Sequence, residues 1–339
     1  MPKERRNAMV AVFLGALPEE TGPDPCCRFR ADGVERCLRV SSAGDFLLQN
    51  TLQIDRTYEL EVTCGLVNAV RICGKPPLKA APSKAVPGLR TLKNLLDTAM
   101  TPLGQTLYVY GGGWNWQDTG AGPQAVSVGP AAEWSSFFQV QNGYYCYRDC
   151  YPAGGRNSYY YAGLDCSGYL GWTVYNTLHN KSGLSGYVCP ARRMARNFAH
   201  RDWGRWMERA DGLRPGDVCS MAGHVWLCMG ICGDGSILLA HSTPSESRVG
   251  CPGGGVQLSA LSAAADGCAA LALAEEAMKR LCPAWYRRYA PVQKSYAAYT
   301  DFSGGVFRWA LDGSGVLTDP DGYAALSAAE ILKRLSGGA

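Results

Sequence analysis

Along the first quarter of the chain, apolar residues come in short runs that alternate with polar punctuation. "MVAVFLGAL", "CCRFRA", "ERCLRVS", "YELEVTC" and "LVNAVRIC" are separated by Gly, Asp, Asn and Pro. Runs of this length, rich in Val, Leu, Phe and Tyr and closed by turn formers, predict β-strands. Five or six of them between residues 8 and 73 predict a small antiparallel barrel or sandwich. The next stretch, "GKPPLKAAPSKAVPG" at 74–88, follows neither the strand nor the helix period and reads as a linker. Beyond it the period lengthens: Leu89, Leu92, Leu95, Leu96, Ala99 and Met100 recur at helical spacing. A strand-like "TLYVYGGG" follows, and later a helix opening at "DCSGYLGW" and another around Pro190–Ala199. The apolar runs "HVWLCMGIC" and "SILLAHST", joined by "GDG", predict a hairpin. A helical run from Ser262 to Leu281 comes next, and the final "LSAAEILKRL" places Ser327 and Glu330 at capping-box spacing.

The pattern predicts an α+β protein in which a cysteine-bearing helix packs on an antiparallel sheet, preceded by a small β-barrel or sandwich. The expected boundaries are 1–75 for the β-unit, 76–88 for the linker, 89–282 for the main domain and 283–339 for a C-terminal extension packed on it. Residues 114–163 form an insertion dense in Trp, Tyr and Phe. A stretch of that length in a compact domain has structure of its own or a function.

A net charge of +4 with scattered basic residues leaves no nucleic-acid footprint. No window approaches the roughly 18 apolar residues of a spanning helix, so no membrane partner is expected. The run Met9–Leu17 behind "MPKERRN" is followed at once by "PEETGPDP", and reads as a strand and not as a signal peptide. By sequence the protein is expected in the cytoplasm, with action elsewhere requiring an unseen export route or lysis. Fifteen cysteines, odd in number and often inside apolar runs, fit reduced thiols. None forms a C-x-x-C pair and there are four histidines, so neither a structural zinc nor any other metal is expected.

The candidate chemistry centres on Cys166. A cysteine at a helix start can be acidified by the helix dipole or a neighbouring imidazolium, but buried packing cysteines are common and a base is required. His224 opens one strand of the predicted hairpin and His241 closes the other, which brings both to one edge. Nucleophile, base and orienting group would then be Cys166, His224 and His241. Two packed core histidines or a metal pair are the alternatives. His179 and His200 lie in polar helical surroundings and read as surface residues.

"LYVYGG", "DCSGYLGW", "LRPGDV", "GHVWLCMG" and "ILLAHSTPS", in that order over roughly residues 89–260, resemble the NlpC family of bacterial cell-wall cysteine peptidases. The resemblance implies a papain-like core with Cys166 as nucleophile, His224 as general base and then acid, and His241 holding the imidazole tautomer. It also implies that Tyr108, Asp165 and Ser167 line the substrate subsites, where a free amino end is recognised. A helix N-cap is the plainer role for Asp165, and an ordinary strand aromatic for Tyr108. The implied reaction is cofactor-free hydrolysis of peptidoglycan stem peptides, or muropeptides, between γ-D-glutamate and a diamino acid. The family reaches its cysteine soon after the "YVYGG" strand, whereas about fifty residues intervene here. Two other readings stay open: an inactive wall- or peptide-binding protein whose β-unit binds, and a cysteine amidase or acyltransferase of the CHAP kind.

Overall fold

A computed structural model describes residues 7–16, 26–40, 57–72, 83–112, 127–150, 162–300 and 303–336. The chain divides into two compact units, Met1–Leu78 with Ser135–Asn142, and Lys79–Trp134 with Gly143–Ala339.

The first unit contains a closed barrel of β1 (Asn7–Ala16), β2 (Cys26–Ala31), β3 (Val34–Val40), β4 (Thr57–Thr63) and β5 (Leu66–Ile72), in the order β1-β2-β3-β5-β4. Alternation drives closure: in β2, Cys27, Phe29 and Ala31 are buried while Arg28 and Arg30 are exposed. Asp32–Gly33 and Cys64–Gly65 turn with positive φ at both positions, the twist that two-residue hairpins require. The barrel is not wholly antiparallel as the pattern predicts, because β3 and β5 pair in parallel.

The second unit is α+β. It holds α1 (Leu92–Met100), the start of α2 (Ala132–Val140), α3 (Cys166–Leu178) and α4 (Met194–Ala199). It also holds a seven-stranded sheet of β6 (Gly204–Met207), β7 (Val218–Met221), β8 (His224–Ile231), β9 (Ile237–Thr243), β10 (Gly255–Ser262), β11 (Gln293–Ser295) and β12 (Gly305–Trp309). The strand order is β11-β10-β9-β8-β7-β12-β6. Four further helices are α5 (Ala269–Leu281), α6 (Pro283–Tyr286), α7 (Tyr296–Tyr299) and α8 (Ala328–Leu335).

The sheet is mixed, which corrects the expected antiparallel one. The chain crosses over through α5 and α6 after β10, and so returns as β11 parallel to it. The described residues of "TLYVYGGG", 106–112, form no regular strand, Leu107 making a single bridge to Gly255. α5 begins at Ala269 and not at Ser262, which closes β10. Residues 283–339 do more than pack on the domain: β12 lies inside the sheet between β7 and β6. The capping box forms as its spacing predicts, with Ser327 and Glu330 exchanging bonds at the start of α8.

Residues 83–88, within the predicted linker, are tied to α1: Lys84 and Val86 donate backbone N–H bonds to Asp97 and Asn94. Of the aromatic insertion, 114–126 and 151–161 lie outside the described residues. α3 packs on β8 and β9. Trp226, Cys228, Leu239, Leu261, Val306 and Tyr299 form one apolar cluster along the sheet. Among the described residues, no helix is long and apolar enough to cross a membrane.

Candidate active site

The site is built where α3 begins. Asp165 caps the helix with extended backbone, its Oδ1 accepting from Gly168 N–H at 2.7 Å and from the Ser167 hydroxyl at 2.9 Å. Its Oδ2 accepts from Gly111 N–H at 3.1 Å, which fastens the preceding "YVYGG" segment to the helix start. That approach is close enough to demand glycine. A Cβ on Gly168 would lie 2.6 Å from the Gly112 carbonyl oxygen, and one on Gly163 2.3 Å from that of Leu107. The glycines of "DCSG" and "AGLDC" therefore have a steric reason. Burial holds the Asp165 carboxyl above the usual range in spite of its three donors.

Cys166 follows as the first helical residue, 5% exposed. Its setting follows from strand parity. Cys228 exchanges backbone bonds with Gly216 and Asp217, so even-numbered residues of β8 aim their N–H and C=O at β7. Odd-numbered ones aim at β9. The β8–β9 ladder, however, stops at Leu227↔Ala240, leaving the start of β8 unpaired on that side. The sulfur of Cys166 fills the gap, with the Gly223 carbonyl at 3.9 Å and the Val225 N–H directed at it. The Ser242 hydroxyl on β9 donates to the Leu164 carbonyl at 2.7 Å and holds the approach to the helix.

His224 and His241 are diagonal neighbours across the splayed strands, with Nε2 of His224 3.1 Å from Nδ1 of His241. Nε2 of His241 lies 2.9 Å from the Ser259 hydroxyl on β10. His241 is fully buried. Burial lowers His224 to about 4 and His241 well below its usual value, and the Lys294 ammonium adds to both effects. Both imidazoles are therefore neutral near pH 7.

The predicted nucleophile, base and orienting residues thus converge, with one difference from the expected arrangement. The sulfur meets the backbone on either side of His224, and no Cys166–His224 hydrogen bond is made. Burial first, and the Asp165 carboxylate second, push the Cys166 thiol up to about 12. The helix start alone predicts the opposite direction, and desolvation outweighs it.

Ser167 follows Cys166 in the helix, and Tyr108 belongs to the segment whose Leu107 and Val109 exchange backbone bonds with Leu164. Tyr108 is 7% exposed and meets the Tyr147 ring edge-on, centroids 5.2 Å apart, while the Tyr145 hydroxyl donates to its carbonyl at 2.8 Å. Both partners come from the aromatic insertion, so Tyr145 and Tyr147 pack against the Tyr108 segment.

Four residues near the site were not legible as site residues. Tyr299, from α7, sets its ring against those of His224 and His241 at 5.1 and 5.7 Å, with its hydroxyl 3.5 Å from Nδ1 of His241. Nothing in "YAAYT" marks it. Lys294 places its ammonium 5.8 Å from the Tyr299 ring centre. Gln257 and Ser259 did leave a signal, as the polar residues at period two inside "GVQLSALS". Among the described residues, no cluster of His, Cys, Asp and Glu could hold a metal ion.

No protein-family model matches the chain, and no curated protein or solved structure matches it either.

Proposed function

We propose that the protein is a cysteine peptidase of the NlpC kind that hydrolyses peptidoglycan stem peptides or muropeptides, at the bond between γ-D-glutamate and a diamino acid. The observation that carries the reading is the convergence of Cys166, at the first turn of α3, with the hydrogen-bonded pair His224 and His241 at the splayed end of β8 and β9. The papain-like description of the core belongs to the same proposal.

In this reading the thiol gives its proton to His224, and the thiolate attacks the amide carbonyl. The oxyanion draws on the Cys166 N–H, which has no partner inside the helix at this position. His224 returns the proton to the leaving amine. Water, deprotonated by His224, then releases the thioester. The chemistry needs no cofactor. The 5% exposure of Cys166 means that the sulfur must be uncovered before it reacts.

The test is mass spectrometry of L-Ala-γ-D-Glu-diaminopimelate incubated with the protein and with Cys166→Ala. Release of L-Ala-γ-D-Glu by the parent alone is the expected result. An intact peptide together with a thiol that alkylates readily would move the substrate assignment to another amide or acyl group. An intact peptide whose addition also leaves the alkylation rate of Cys166 unchanged would overturn the enzyme reading in favour of a binding protein.

A further inference from the structure

The hydrogen bonds behind His241 determine where its proton sits. Trp285 Nε1–H can only donate, and it donates to Oε1 of Gln257 at 3.1 Å. That fixes the amide orientation and turns Nε2 of Gln257 to the Ser259 oxygen, 3.3 Å away. The Val292 N–H, also donor-only, reaches the same oxygen at 3.4 Å. Two N–H groups fill the two lone pairs of the Ser259 hydroxyl. Its own proton then goes to the acceptor within reach, Nε2 of His241 at 2.9 Å.

A neutral His241 that accepts at Nε2 carries its proton on Nδ1, and donates it to Nε2 of His224. His224, accepting there, carries its own proton on Nδ1, its other ring nitrogen. We propose that Trp285, Gln257, Val292 and Ser259 form a latch that holds the histidine pair in the tautomer unable to accept the Cys166 proton. The inference rests on the peptidase reading for its meaning. In that state His224 has one ring nitrogen already accepting from His241 and the other already protonated, so neither is free to take the thiol proton. Activation needs the Ser259 hydroxyl to turn away, so that His241 donates from Nε2 and His224 takes its proton on Nε2, freeing Nδ1 as the base. These are positioning residues, since none touches the sulfur. Trp285 and Val292 come from the part of the chain that follows α5, which gives that segment a role beyond completing the sheet. The remaining polar groups at the pair, Tyr299 with its hydroxyl 3.5 Å from His241 Nδ1 and Lys294, leave the count at Ser259 unchanged.

The test reads the tautomer directly, by 15N NMR of histidine-labelled protein near neutral pH, with His224→Gln and His241→Gln assigning the signals. The expected spectrum has protonated Nδ1 and unprotonated Nε2 on both rings. Protonated Nε2 on His224 in the parent would overturn the latch. Gln257→Glu replaces the donor facing Ser259 with an acceptor of the same shape, so the Ser259 proton turns to residue 257 and its oxygen accepts from His241. The expected result is transfer of the His224 proton to Nε2 and alkylation of Cys166 at least about tenfold faster than in the parent. An unmoved tautomer in a folded Gln257→Glu protein would also sink the latch. Because both readouts need no substrate, failure of peptide cleavage with the expected tautomers would count against the peptidase reading alone.

Discussion

Replacing Asp165 distinguishes a carboxylate that builds the helix start from one reserved for a substrate ammonium. Oδ1 accepts two hydrogen bonds and Oδ2 one, with Gly168, Ser167 and Gly111 as donors. Asp165→Ala removes an N-cap, at a cost of about 0.5–2 kcal/mol. It also leaves the Gly111 N–H without its acceptor, for about 1–3 kcal/mol more. The expected loss is about 1.5–5 kcal/mol, or roughly 3–20 °C in Tm for a unit of this size. Asp165→Asn separates the two roles. It keeps a capping oxygen for Gly168 but turns an amide NH2 toward Gly111 N–H, so two donors meet; the expected loss is about 1–3 kcal/mol. Differential scanning fluorimetry measures both, with helical circular dichroism confirming that the variants are folded. If Asp165→Asn melts within about 1 °C of the parent while peptide cleavage is lost, the carboxylate serves charge recognition and the capping argument is wrong.

Gly168→Ala should be as harmful as a core substitution, because its Cβ would fall 2.6 Å from a backbone oxygen that cannot rotate away; a Tm within about 2 °C of the parent would contradict the packing. With the Cys166 thiol pushed up to about 12, roughly one molecule in 10^5 carries the thiolate at pH 7; iodoacetamide should label Cys166 far more slowly than the exposed Cys37 and Cys64, as peptide mass mapping would show. Arg308→Met strips the guanidinium from the buried Asp217, to which it donates from Nε at 3.0 Å and Nη2 at 2.6 Å; about 3–5 kcal/mol should be lost, and the double variant with Asp217→Leu should recover much of it in denaturant titrations. His224, lowered to about 4 by burial, is neutral when folded and takes up a proton when unfolded. Stability is therefore full above about pH 6.5 and falls as pH drops toward 4, by up to about 3 kcal/mol; His224→Gln should flatten that limb of a Tm–pH profile, and an unchanged limb would refute the assignment.

The fold was legible wherever a single period ran long enough to bury a face. The five runs of the first unit close a barrel, and "HVWLCMGIC" with "SILLAHST" form neighbouring strands, because alternating burial is a local property. Pairing partners were not local. That β12 enters the sheet between β7 and β6 depends on residues about a hundred positions apart. The parallel β11 depends on a crossover whose length, and not its composition, sets the direction. The misplaced helix start has the same origin: "SALSAAADG" supports both periods, and β9 decides by pairing with β10 up to Leu261.

The site divides along the same line. Cys166 and His224 drew notice because each is the first residue of its element, whereas His241, expected to close its strand, lies inside β9, which runs on to Thr243. What the sequence could not carry was the balance of burial against the helix dipole. A dipole acts through the first turn and is visible in the sequence as "DCSG". Desolvation is the sum of everything that closes over the sulfur, including a β8–β9 gap that exists only because two strands part above Leu227. The tautomer of the histidine pair is a longer-range property still, set from Trp285 through Gln257 and Ser259 by donors that lie in sequence on the far side of α5 or two strands away. A candidate nucleophile can therefore be picked out from one motif, whereas its surroundings are set by side chains that share no motif with it.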